Sequence, residues 1–186
     1  MKQIAKLSPR FKARLAGALS LLGLLAAVLG EFFVRRLEIA GDLIAVVSMV
    51  LVTLVLYGIF KPVNKGLSLL AASLNLVGLT CGALRWNPRS VDIPVALNGF
   101  YCLLIGYLIF KSTFLPRILG ALMAIGGLGW LTFLSPPLAS RLSPYNLASG
   151  IIAQESVMLW LLVMGVNVQR WKDQAKRSDS SGEHTK

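Results

Sequence analysis

The chain has 186 residues, 55% of them hydrophobic, with a mean hydropathy of +0.69 and a formal net charge of +11. A soluble domain of this length is less apolar, and it does not confine its charges to short clusters between long apolar runs. Six such runs exclude a separate soluble domain, and they turn the positive excess into a signal of topology, not of a nucleic-acid partner.

About 20 apolar residues at ~1.5 Å each cross a hydrocarbon core of roughly 30 Å. In chain order, residues 1–14 read as a basic arm with Lys2, Lys6, Arg10, Lys12 and Arg14. Spans are expected over about 15–34, 43–60, 66–84, 93–110, 118–136 and 147–169, all within one membrane domain of residues 15–169. The basic arm runs straight into a full-length span, unlike a cleavable signal peptide. Ser8-Pro9 pairs a capping hydroxyl with a proline suited to the first helical position, so the first helix is expected to begin there. Ser143-Pro144 offers the last span the same device, and Ser112 or Thr113 can cap span five. Pro136-Pro137 is expected to end span five. Residues 170–186 are polar after Trp171 and are expected to be a disordered tail.

Several spans carry small residues on one face, which lets helices approach closely in lipid. Span one has Ser20, Gly23, Ala27 and Glu31, and span three has Ser68, Ala71, Asn75, Gly78 and Gly82. Span four places Asn98 and Cys102 on one side, and span five has Gly120, Ala124 and Gly127. Tyr57-Gly-Ile-Phe-Lys61 recurs as Tyr107-Leu-Ile-Phe-Lys111, which reads either as a trace of a parallel repeat or as the common aromatic-plus-lysine end of an inner span. Cys81 and Cys102 differ in depth by about 9 Å along the helical rise, so both are expected to be free thiols.

With the N-terminus inside, fourteen of the nineteen Lys and Arg residues fall on the cytoplasmic side and five on the outer side. The expected architecture is therefore all-α, a polytopic six-transmembrane-helix bundle, N-in/C-in.

Glu155 is the one charged residue between Arg141 and Arg170. A carboxylate inside hydrocarbon costs roughly 2.5–3.5 kcal/mol on insertion scales, so it is tolerated facing protein or water. Glu155 is expected to face the bundle interior near Asn98, with Ile151, Met158 and Leu162 buried beside it and Val157 and Leu161 turned outward. The candidate site is an outward-facing pocket of Glu155, Glu31, Asn98 and Asn75, rimmed by Arg35, Arg36, Arg85 and Arg89. Such a pocket suits a small ligand, a cation or a lipid headgroup. Two readings of Glu155 stay open: a binding or proton-carrying group, and a structural carboxylate in a buried ion pair that makes the protein a subunit of a membrane complex. Asp42 and Asp92 read as helix-end carboxylates.

Enzymatic chemistry finds little support. The spans hold no Ser–His pair, no His/Cys metal set and no second intramembrane aspartate to partner Gly41-Asp42. No cofactor or metal is implied, and a membrane-embedded lipid-modifying enzyme is the third reading. The partners expected are the bilayer, a small ligand, and conceivably a second copy, since oligomerisation is left open.

Six segments carry a family resemblance: Ser8-Pro-Arg-Phe-Lys-Ala-Arg-Leu-Ala-Gly17, Gly30-Glu-Phe-Phe-Val-Arg35, Leu56-Tyr-Gly-Ile-Phe-Lys-Pro-Val-Asn64, Gly99-Phe-Tyr-Cys-Leu-Leu-Ile-Gly-Tyr-Leu-Ile-Phe-Lys111, Phe114-Leu-Pro-Arg-Ile-Leu-Gly120 and Glu155-Ser-Val-Met-Leu-Trp-Leu-Leu-Val-Met-Gly-Val-Asn167. The chain resembles the bacterial integral-membrane family named domain of unknown function 4386. It departs from that pattern between Arg36 and Asp42, where relatives carry a longer outer segment. The family has no established activity, so the resemblance implies a fold and a location and assigns no catalytic residue.

Overall fold

A computed structural model of the chain describes residues 8–32, 35–84 and 92–183, with side chains described outside 30–39 and 179–183. All regular structure among the described residues is helical. The helices are α1 (Pro9–Phe32), α2 (Arg35–Phe60), α3 (Lys65–Ala83), α4 (Ile93–Lys111), α5 (Arg117–Leu131, extended by a 3-10 turn over Thr132–Leu134), α6 (Pro136–Leu142), α7 (Tyr145–Val163) and α8 (Val168–Glu183). Six of them, α1–α5 and α7, are long and apolar enough to cross a membrane.

Polar side chains set several of the boundaries. Ser8 accepts from the Phe11 amide at 3.3 Å, Asn64 from Leu67 at 3.0 Å, and Asp92 from Val95 at 3.4 Å. Each satisfies a backbone donor that has no intrahelical partner. Asp92 thus caps as expected. Asp42 does not, because α2 starts seven residues earlier, at Arg35, and leaves it exposed on the helix side. Ser143 makes no capping bond to α7, and the hydroxyls of Ser112 and Thr113 bond elsewhere, leaving α5 without a side-chain cap. Pro136 and Pro137 start the short helix α6, the use to which a helix's first turn best suits proline.

The six spans pack in chain order around a closed ring: α1 on α2, α2 on α3, α3 on α4, α4 on α5, α5 on α7, and α7 back on α1. Glycine makes the tightest of these seams. A Cβ on Gly106 would lie 2.9 Å from the Gly120 carbonyl, and one on Gly120 would lie 2.8 Å from the Gly106 carbonyl. Gly99 and Gly127 repeat the arrangement at 3.0 and 2.9 Å, one heptad away on each helix. Gly17 seats α1 against Met158 and Leu162 of α7, and Gly126 seats α5 against Ala153. Two interhelical hydrogen bonds tie α2 to α3: Asn75 Nδ2 donates to Thr53 Oγ1 at 2.6 Å, and Ser68 Oγ donates to the Tyr57 carbonyl at 3.2 Å.

The outer surface of the ring is apolar, with Leu22, Leu25, Leu51, Leu69, Val77, Ile118, Ile125, Ile152 and Leu159 all exposed. In water such a continuous surface would be an aggregation face, whereas lipid is its natural solvent. This is a multi-pass membrane protein. Cys81 and Cys102 are both free.

Three expectations about the last third of the chain are corrected. Span six ends at Val163, short of residue 169, because Gly165 takes φ 70° and its amide turns back to the Trp160 carbonyl at 3.2 Å. That left-handed residue just past the helix end suits glycine. Residues beyond it, expected to be disordered, form α8. Asn167 caps α8 through the Arg170 amide at 3.1 Å, and Trp171 Nε1 donates to the Ile59 carbonyl at 2.9 Å. Gln174 accepts from the Thr113 amide at 3.1 Å. On α7, Val157 and Leu161 are fully buried and Ile151 is 40% exposed, the reverse of the expected orientation, while Met158 is buried as expected. The reason is that α7 packs on two neighbours, so the face toward α5 is as closed as the face toward α1. The repeated Tyr-x-Ile-Phe-Lys motif does not produce equivalent environments either, since Phe60 is fully buried and Phe110 is 43% exposed.

Candidate functional site

At the centre of the ring is a cavity of about 240 Å³, lined by Ser20, Met49, Val52, Asn75, Leu79, Asn98, Tyr101, Met123, Gln154 and Met158. Every span contributes at least one of these residues. The polar members are one hydroxyl, one phenol and three amides, and none carries a formal charge. They sit near the middle of their helices: Gln154 is nine residues into α7, or ~14 Å along its axis.

The amides are organised around Gln154. Its Oε1 accepts from Asn98 Nδ2 of α4 at 3.2 Å and from Trp130 Nε1 of α5 at 3.1 Å. Its Nε2 faces Asn98 Oδ1 at 3.5 Å. One glutamine therefore ties three helices together beside the cavity. Asn75 reaches the opposite wall, where Thr53 passes its own proton to the Met49 carbonyl at 2.7 Å. Interhelical bonds of this kind average about 0.6 kcal/mol in membranes. Their larger effect is positional, because a paired amide presents its remaining lone pairs and protons to the cavity in a fixed direction.

Of the residues expected at the site, Asn75 and Asn98 line this cavity together. Asn98 bonds Gln154, not Glu155. Glu155 is absent from the cavity wall and half-buried; Ser20 of α1 faces its carboxyl, and its Oε2 is buried with no hydrogen-bond partner. No basic side chain pairs with it among the described residues. The side chains of Glu31, Arg35 and Arg36 are not described, and Arg85 and Arg89 lie outside the described residues. Sequence reasoning passed over Gln154, Tyr101, Thr53, Met49 and Met123, and placed Met158 as a buried neighbour of Glu155. Gln154 had a signal: with Gly150, Val157 and Leu161 it falls on one face at steps of four, three and four.

The ring of spans around a polar centre places the chain in the class of multi-pass helical membrane proteins. The resemblance in the sequence extends to a family match: the model for DUF4386, a domain of unknown function, covers residues 85–165. That stretch includes Asn98, Trp130, Gln154 and Glu155, but not Ser20 or Asn75. A protein of Archaeoglobus fulgidus described as an uncharacterized protein is 27% identical over 155 residues, which cover 75% of this chain and 93% of the relative. No solved structure matches the chain.

Proposed function

We propose that this protein is a non-enzymatic binding or transport module of the cell membrane, with both termini cytoplasmic, and that its ligand site is the central cavity. The observation that carries this reading is a cavity walled by all six spans, with five uncharged polar groups contributed by α1, α3, α4 and α7. Drug-sized ligands occupy sites of roughly 300–1,000 Å³, so a cavity of about 240 Å³ suits a smaller molecule. Of the three ligand classes admitted by the sequence, a small uncharged solute fits best. A cation would meet no carboxylate in the wall, and a lipid headgroup would be cramped. The thioethers of Met49, Met123 and Met158 supply adaptable apolar contact between the polar groups.

The test uses the protein in detergent with glycerol, urea and short-chain amides as probes, read as thermal shift, and in proteoliposomes, read as solute-driven swelling. Leu79→Phe adds volume to the cavity without removing a hydrogen bond. At least one probe should stabilise or permeate the parent, and the effect should vanish in Leu79→Phe while its melting temperature holds or rises. A panel without effect on the parent, or an effect untouched by Leu79→Phe, overturns the reading.

A further inference from the structure

Glu155 and the cavity meet at one side chain. Ser20 is 2% exposed, lines the cavity, and faces the Glu155 carboxyl across the α1–α7 seam that Gly17 closes one turn away against Met158 and Leu162. The carboxyl has a second oxygen, Oε2, which is buried and unpartnered. An ionised carboxylate in such surroundings needs a counter-charge or a full set of donors. Among the described residues, the surrounding elements supply neither. On α7 no other charge lies between Tyr145 and Val163. On α1 the basic residues Arg10, Lys12 and Arg14 stand at its terminal end, at least six residues before Ser20, and Arg14 donates to the Val163 carbonyl at 3.2 Å. On α5 the sole charge is Arg117 at its first residue, and on α6 Arg141 is exposed. The one titratable group in the cavity wall is the phenol of Tyr101.

Among the described residues no cluster of metal ligands includes Glu155, and the ion best suited to a single orphaned carboxyl oxygen is the proton. We propose that Glu155 is a proton-exchange site connected to the central cavity by the Ser20 hydroxyl. In the exchange, the carboxylic O–H of Glu155 gives its proton to Ser20 Oγ while the Ser20 O–H gives its own to water or to a solute oxygen in the cavity. The carboxylate left behind accepts the hydrogen bond that Ser20 then turns toward it, and the reverse transfer reloads the acid. Because Ser20 also belongs to the ligand wall, cavity occupancy and the protonation of Glu155 are linked, each biasing the other by the same factor. This linkage rests on the cavity being a ligand site; the proton site itself does not.

The test is infrared difference spectroscopy of the full chain in liposomes after a pH jump. A carboxylic C=O band should exchange with carboxylate bands in the parent and be missing in Glu155→Gln. Ser20→Ala removes the relay and leaves the carboxyl, so it decides the matter even where Glu155→Gln fails to fold. There the band should move, for want of the hydroxyl that accepts its O–H, and its exchange should slow at least tenfold. A difference spectrum without a titrating carboxylic band, or a band unchanged in both variants, overturns the proposal. Glycerol or urea added at fixed pH should change the band intensity in the parent. If neither solute binds but the band responds to both variants, the cavity reading falls and the proton site stands. If solutes bind and leave the band unmoved, the cavity reading stands and the linkage is wrong.

Discussion

Gly106→Ala is the most direct way to ask whether glycine closes the ring at the α4–α5 seam. The new Cβ would lie 2.9 Å from the Gly120 carbonyl oxygen and 3.2 Å from the Ala124 nitrogen, where ordinary contact begins at 3.4 Å. The obstacle is backbone, so no rotamer can yield, and α5 must retreat by about 0.5 Å. A local tilt would not suffice, because Gly99 and Gly127 hold the same two helices at 3.0 and 2.9 Å one heptad away. Overpacking of this kind costs about 1–3 kcal/mol. Gly58 supplies the control, since a Cβ there meets nothing within 4 Å. Gly58→Ala should gain about 0.5–1 kcal/mol from the helical preference of alanine over glycine. The two variants should therefore separate by roughly 1.5–4 kcal/mol in reversible unfolding by SDS in mixed micelles, followed by circular dichroism. A Gly106→Ala protein as stable as Gly58→Ala would refute the close approach of α4 and α5.

Gln154→Leu deletes the acceptor shared by Asn98 and Trp130 and should cost about 1–2 kcal/mol in the same SDS titration, near the upper end for interhelical bonds in membranes; no loss of stability would deny the three-helix hub. Trp171→Ala removes the bond to the Ile59 carbonyl, so α8 should detach from the ring, and trypsin cleavage after Arg170 and Lys172 in nanodiscs should speed up at least tenfold. Cleavage at the parent rate would mean that Trp171 does not dock the helix. A periplasm-only reporter fused at Lys186 should be silent and the same reporter inserted within residues 85–91 active, as the fourteen-to-five basic bias requires; the opposite pattern would invert the protein in the membrane.

The spans were legible because a 20-residue apolar run has few other uses, and the small face of span five because its residues recur at helical spacing; that this face meets Gly99 and Gly106 of α4 was not legible. Asn75 and Asn98 stood out for the same reason, as amides on otherwise small or apolar faces. What the sequence concealed was pairing. Glu155 is the strongest polar signal in its span, and it drew attention from Gln154 next to it, although the amide makes the hydrogen bonds that converge beside the cavity. Val157 and Leu161 were assigned to lipid because one buried face was assumed for α7, and a helix gripped by two neighbours has two. The helix α8 was hidden by a composition argument that counts apolar area. Its attachment depends on one indole and one glutamine finding carbonyl and amide partners more than 60 residues away in sequence, and composition does not register such bonds.

The cavity follows from the ring itself. Six parallel cylinders touching in a closed ring enclose a hole about as wide as a seventh, and side chains must fill it or leave it open. Helices held 8–10 Å apart leave more central space than Leu and Val can fill. Here the glycine seams draw the wall tight between neighbours, while the Asn98–Gln154 bond links α4 to α7 across the interior. The remainder is about 240 Å³. An apolar wall would make that remainder a dry void, which forfeits dispersion contacts all round. Amides, a hydroxyl and a phenol make it a place where water or a small polar solute has partners, so the space is stable when occupied. The same uncharged lining keeps the interior free of the desolvation cost that charged groups would impose at mid-membrane. Among the described residues of the spans, Glu155 is the acidic group nearest that cost, and it stands beside Ser20 and outside the cavity wall.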